Sequence, residues 1–151
     1  MKTWLRRVFL GLALGLLAIQ LVPKGRSHTN PPARVEPSWP SPRIRALAVR
    51  ACFDCHSNET VWPWYSFVAP ASWLIEHDVE EGRDELNFSQ FDRPQRHAKD
   101  AAAELREGEM PPAIYLPLHA SARLTESEKQ ELVAAFVSLF GDGDEKAHES
   151  K

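Results

Sequence analysis

From Val8 to Val22 the chain is apolar, and Lys2, Arg6 and Arg7 stand just before that run. A basic stretch followed by an apolar one is the layout of an export segment. As a helix these 15 residues span roughly 22 Å. A bilayer core is about 30 Å thick, so the run is short unless Trp4, Leu5 and Pro23 at its borders contribute. No small-x-small cleavage site precedes Pro23. The segment reads as an uncleaved membrane anchor with a cytoplasmic N-terminus, or else as a signal peptide that is removed. Either way the remainder is exported.

The next stretch, residues 23–42, holds six of the twelve prolines and reads as an extended, semi-rigid tether that lifts a domain off the membrane. Ser41-Pro42 has the form of a helix start, a capping side chain followed by proline at the first helical position. Ile44, Leu47, Ala48 and Ala51 then recur at helical spacing, and the helix runs into Cys52. A second helix is expected over Ala71–Leu86, with Ser72 as cap. Trp73, Leu74, Ile75, Val79 and Leu86 form its apolar side, and an acidic run from Glu76 to Glu85 reads as its solvated side. Gly82 marks close packing within it. A third is expected over Pro94–Glu107, with Ala98, Ala101, Ala102 and Leu105 on one side and Gly108 as its stop. Thr125-x-x-Glu128 is a capping box, and Leu132, Val133, Phe136, Leu139 and Phe140 follow at helical spacing up to Gly141. No convincing strand pattern is present. The expectation is an all-α fold divided into a signal peptide or anchor (1–22), a proline-rich linker (23–42), a compact domain (43–141) and a disordered tail (142–151).

Charge changes this picture little. The formal net charge is −3, and removing residues 1–22 makes it −6. A nucleic-acid binder would carry a basic patch, and none appears. Aromatics matter more. Five Trp and seven Phe supply large apolar area, which suits walls around a flat cofactor. Several crowd between Ser57 and Pro70, where Trp62, Trp64, Tyr65 and Phe67 are broken by prolines.

Chemistry concentrates in Cys52-Phe53-Asp54-Cys55-His56. On a helical turn, positions i, i+3 and i+4 share a face, so both thiols and the imidazole can address one porphyrin. Two cysteines three apart, followed at once by histidine, read as a site of c-type haem attachment. The thiols would form thioethers and His56 would bind the iron from the proximal side. Covalent attachment of haem in bacteria takes place outside the cytoplasm, in agreement with the export segment. The same cysteines could instead form a disulfide, a thioredoxin-type pair or half of a zinc site. The last two lack their usual context: a βαβ pattern in one case, a second ligand pair in the other.

The order of parts resembles a small single-haem cytochrome c: helix, CxxCH, loops, Met-Pro, then a capped terminal helix. More closely, the chain resembles the bacterial haem-binding domain family, which carries CxxCHSNxTxWPWY near its start. That motif stands here over Cys52–Tyr65, and Ala69-Pro-Ala-Ser-Trp73, His77 through Arg83, Leu86-Asn-Phe-Ser89 and Met110-Pro-Pro-x-x-Tyr115 follow in order. The resemblance covers residues 44–140 and implies one covalent haem c and electron transfer.

In the cytochrome c pattern a methionine from the loop before the last helix is the sixth iron ligand, which places Met110 there. Thioether sulfur opposite histidine raises the reduction potential. His77 and His119 are the alternative ligands; His28, His97 and His148 are weaker candidates. Arg83 is a candidate partner for a haem propionate, and Trp64 or Tyr65 for a hydrogen bond to one. The functional expectation is a single-electron carrier on the periplasmic side of the inner membrane, held there by the N-terminal helix, or free in the periplasm if the segment is cut. Its redox partners would be other exported proteins. The alternative is a haem enzyme of peroxidase type, or a sensor, with an open or labile sixth position. A third reading is a disulfide-bonded, membrane-tethered module without haem.

Overall fold

The structure, a computed structural model, describes residues 2–143. It is all-helical, with six α-helices: α1 (Lys2–Ile19), α2 (Pro42–Ala51), α3 (Phe53–His56), α4 (Ala71–Glu85), α5 (Ala101–Glu107) and α6 (Glu126–Phe140). Two 3₁₀ turns, Trp64–Phe67 and Ala120–Ala122, lie between them. The only β pairing among the described residues is an isolated parallel bridge between Val35 and Gln90.

The end signals act as read. Ser41 accepts a hydrogen bond from the Ile44 amide, with Pro42 at the first helical position of α2. Thr125 and Glu128 exchange both bonds of the capping box that starts α6. Gly108 closes α5 in the left-handed conformation, with φ at 84°, where glycine avoids the steric cost other residues meet.

Phe88 is the centre of the core. Its ring stacks on Phe53 at 5.5 Å and on Phe136 at 5.9 Å, and Trp39 lies 5.3 Å away. Leu47 and Ala48 of α2, Ala102 and Leu105 of α5, and Leu132 of α6 complete it. Two ion pairs tie α2 to α6, Arg43 with Glu131 and Arg50 with Glu128, each at 2.7 Å.

Four details differ from the sequence reading. The third helix begins at Ala101 rather than Pro94. The Gln95 side chain bonds the Asn87 amide and the carbonyls of Gln90 and Arg93, and such local side-chain bonds compete with a helix. Ser72 does not cap α4; Pro70 holds the cap position and Ser72 is buried inside the helix.

The proline-rich segment does not stand off the domain. Glu76 accepts from the Gly25 and Ser27 amides, both at 2.8 Å. Asn30 donates to the Thr60 carbonyl, and the Arg34 amide donates to the Ser89 carbonyl. Prolines keep this segment extended, and side chains of the domain take up its free backbone groups, so it is a strap rather than a spacer. Of the expected tail, Asp142 and Gly143 still pack back, the Gly143 amide bonding the Lys99 carbonyl at 3.1 Å; residues 144–151 lie outside the described residues.

Candidate functional site

Helix α2 ends at Ala51, and Cys52 occupies a kinked position (φ −127°, ψ −32°) from which the single turn α3 starts. The His56 amide bonds the Cys52 carbonyl at 2.9 Å. The two cysteines and the histidine therefore share one helical turn. Phe53, between them in sequence, points into the core and fixes the turn from behind.

His56 Nδ1 lies 2.9 Å from the Gly82 carbonyl and 3.0 Å from the Leu86 carbonyl, at the end of α4. Carbonyls only accept, so Nδ1 carries the proton and Nε2 keeps the lone pair. Burial pushes the His56 pKa down, which keeps the imidazole neutral, as a metal ligand must be. Such a hydrogen bond also raises the basicity of the ligating nitrogen.

This contact requires Gly82. A Cβ there would lie 2.7 Å from the Cys55 carbonyl oxygen. The next residue, Arg83, donates to the Ser57 carbonyl at 2.7 Å and to Thr29, Asn30 and Thr60, each at 2.9 Å. Four of its contacts are thus committed to the protein, and a propionate would have to compete for them. Its work in this structure is to hold the loop after His56 and the strap together.

The polar residues following the motif have the same task. Ser57 donates to the Phe53 carbonyl, Thr60 donates to the Asp54 carbonyl, and Asn58 bonds Asn87, Ser89 and Pro32. These groups lie within the family motif, and nothing in their spacing along the chain reveals their partners.

Burial raises the Cys52 thiol to about 12, and burial with Asp54 nearby raises the Cys55 thiol to about 11. Both remain protonated at neutral pH, unlike the thiolate of a thioredoxin-type pair. Among the described residues no group of three His, Cys, Asp or Glu side chains gathers to hold a metal ion. An iron held at His56 would therefore need its further donors from a ligand of its own. A tetrapyrrole would supply them, and an unprotonated Nε2 on the same turn as two thiols fits it.

Cys55 opens onto an apolar cleft of about 50 Å³ with Tyr65, Ile75, Val79, Tyr115 and His119 on its walls. That is smaller than a tetrapyrrole, so the segments around it would stand further apart around the group. Tyr65 bonds His119 Nε2 through its hydroxyl at 3.1 Å, and the His119 ring stacks on Tyr115 at 3.7 Å. Tyr115 donates to Asp54, between the two cysteines, at 2.5 Å. Burial and the Asp54 carboxylate push the Tyr115 pKa up.

Of the candidates named from sequence, Cys52, Cys55 and His56 come together, with Tyr65 and His119 beside Cys55. Met110 does not join them. It is 39% exposed and lines a second cavity of about 310 Å³ with Leu105, Leu116, Ala122 and Leu124. Trp64 is 78% exposed, edge-on to Tyr65. His77 stands on the exposed side of α4, 3.5 Å from Glu81. His28 sits between Trp62 and Phe67, and His97 between Glu85 and Asp100. His148 lies outside the described residues.

No curated protein and no solved structure matches this chain. A family described as a haem-binding domain matches residues 14–137. That span is most of the chain and contains the whole Cys52–His56 turn and both carbonyls that hold its histidine; the protein belongs to the haem-binding domain family.

Proposed function

We propose that this haem-binding protein is a c-type electron carrier. One haem is joined through thioethers to Cys52 and Cys55, with its iron on His56 Nε2, in a cytochrome c-like arrangement within residues 43–141. The observation that carries this reading is the His56 geometry. Nδ1 is given to two carbonyls, which leaves Nε2 free on the same turn as two protonated thiols.

The group, when bound, supplies a one-electron Fe(III)/Fe(II) couple. The chain holds and tunes it. The Gly82 and Leu86 carbonyls orient the imidazole, Arg83 and the Ser57–Thr60 loop keep the turn in place, and the Phe53–Phe88 stack backs it with apolar packing. The protein works on the periplasmic side of the inner membrane, anchored by α1, and exchanges electrons with exported partners. Among the described residues no helix is long and apolar enough to cross a membrane; in this reading α1, apolar from Val8 to Ile19, is the segment that meets the bilayer.

In this reading Met110, which lines the neighbouring cavity, would supply the sixth ligand to the iron. A second reading gives that position to His119, because it is the imidazole that shares the cleft with Cys55. Optical spectra of the haem-loaded protein decide between them. A weak far-red ferric band that vanishes in Met110→Ala assigns Met110. Low-spin spectra that survive Met110→Ala and turn high-spin in His119→Ala assign His119. High-spin spectra of the wild type would favour the enzyme or sensor alternative. Haem staining after denaturation tests the covalent bonds, and a colourless protein with the mass of polypeptide alone refutes the proposal.

A further inference from the structure

Helix α1 is apolar on all sides from Val8 to Ile19 and buries no residue against the protein. A helix apolar all round requires a cover. Its 18 residues span about 27 Å, and the first turns carry Lys2, Arg6 and Arg7, so its apolar part falls short of a bilayer core of about 30 Å. A short apolar segment must be compensated at its ends.

The end of α1 is mounted rigidly. Gln20 pairs with the backbone of Ala69 in both directions, Nε2 to the carbonyl at 2.9 Å and Oε1 from the amide at 3.0 Å. Gly25 presses on α4 so closely that a Cβ would lie 2.6 Å from the Ser72 carbonyl carbon. Glu76 accepts from the Gly25 amide and from the Ser27 amide, one oxygen to each.

Around this joint the domain shows apolar side chains to the outside. Leu21 is 84% exposed, Phe67 58%, and Val22, Val68 and Leu74 are also exposed. Lys24 and Arg26 stand exposed beside them, and the Arg26 guanidinium reaches the Gln20 carbonyl. Apolar and aromatic groups with lysine or arginine at the margin are the composition of a membrane interface.

We infer that this face is a collar seated in an anionic lipid bilayer. Leu21, Val22, Phe67, Val68 and Leu74 supply the apolar depth that α1 lacks, and Lys24 and Arg26 meet the headgroups. The inference rests on the reading of α1 as an anchor. It adds that the domain is held in one orientation, with the start of α4 turned toward the membrane, rather than swinging on a tether.

The test uses the haem-loaded full chain in vesicles of zwitterionic and anionic phospholipid bearing a diazirine on the acyl chain. After photolysis, adducts are mapped by mass spectrometry. Adducts in α1 and in residues 66–76, with none in α5, are expected. In Val68→Glu/Leu74→Glu, two exposed positions that leave the fold intact, adducts in 66–76 fall about tenfold while those in α1 persist. Adducts in α1 alone overturn the collar and leave the anchor standing. Labelling of 66–76 that is unchanged in the double variant also overturns it. No adducts at all overturns the anchor, and the collar with it.

Discussion

Replacing Gly82 by alanine sets two known effects against each other. In an ordinary helix interior the change stabilises by about 1 kcal/mol, because glycine gives up more backbone freedom. At Gly82 the new methyl carbon would lie 2.7 Å from the Cys55 carbonyl oxygen, 3.1 Å from its carbon and 3.2 Å from the Cys55 Cβ. The nearest atoms are backbone, so no rotamer change relieves the contact. Ordinary contact begins at 3.4 Å, so α4 and the Cys52–His56 turn must separate by about 0.7 Å (3.4 − 2.7). Overpacking of this kind costs about 1–3 kcal/mol.

The same movement draws the Gly82 carbonyl from His56 Nδ1, now at 2.9 Å. Loss of that bond costs about 1 kcal/mol, and the Leu86 carbonyl retains part of it. The net expectation for Gly82→Ala is destabilisation by about 1–3 kcal/mol, seen as a melting temperature lower by about 3–10 °C. The assay is thermal melting of the haem-loaded protein followed by circular dichroism. A potentiometric titration of the same samples should show a raised midpoint, because a weaker bond at Nδ1 makes the imidazole a poorer donor to Fe(III). A variant that melts at or above wild type would show that helix propensity outweighs the contact, and the close approach of α4 to the turn would be refuted.

Other outcomes follow from the same bonds. Arg83→Ala leaves the Ser57 carbonyl without its donor and should cost about 2 kcal/mol, measured by urea unfolding; Arg83→Lys should recover only part of it, since one ammonium cannot replace a fork that reaches four groups. Tyr115→Phe removes the bond to Asp54 but keeps the stack on His119, and hydrogen exchange across residues 110–119 should quicken with little change elsewhere. Thr125→Ala removes one half of the capping box and should cost about 1 kcal/mol in thermal melts. Arg50 beside Glu128 holds that carboxyl down at about 2, below its ordinary 4.5. A lowered carboxylate pKa stabilises the fold above the unfolded value, and this contribution is lost as pH falls from about 4.5 toward 2. Glu128→Gln should therefore flatten acid unfolding in that window, while an unchanged curve would mean the pair contributes nothing.

Much of the fold was legible along the chain because its signals are local. Caps at Ser41 and Thr125, stops at Gly108 and Gly141 and the helical spacing of Leu47–Ala51 and Leu132–Phe140 each involve neighbours within a turn or two. Where the reading slipped, distant groups had intervened. Pro94–Asp100 stays out of helix because Gln95 finds backbone partners eight and five residues away. The strap is fixed by Glu76, about fifty residues on.

The candidate site divides along the same line. The sequence by itself determined that two thiols and an imidazole gather on one face, because positions i, i+3 and i+4 need only one helical turn to do so. Tertiary structure decided which imidazole nitrogen is free, through the Gly82 and Leu86 carbonyls 26 and 30 residues away. It also committed Arg83 to the loop, set His119 beside Cys55 and left Met110 in another cavity. Spacing along a chain specifies what lies within a turn; which distant groups meet is specified only when the helices pack.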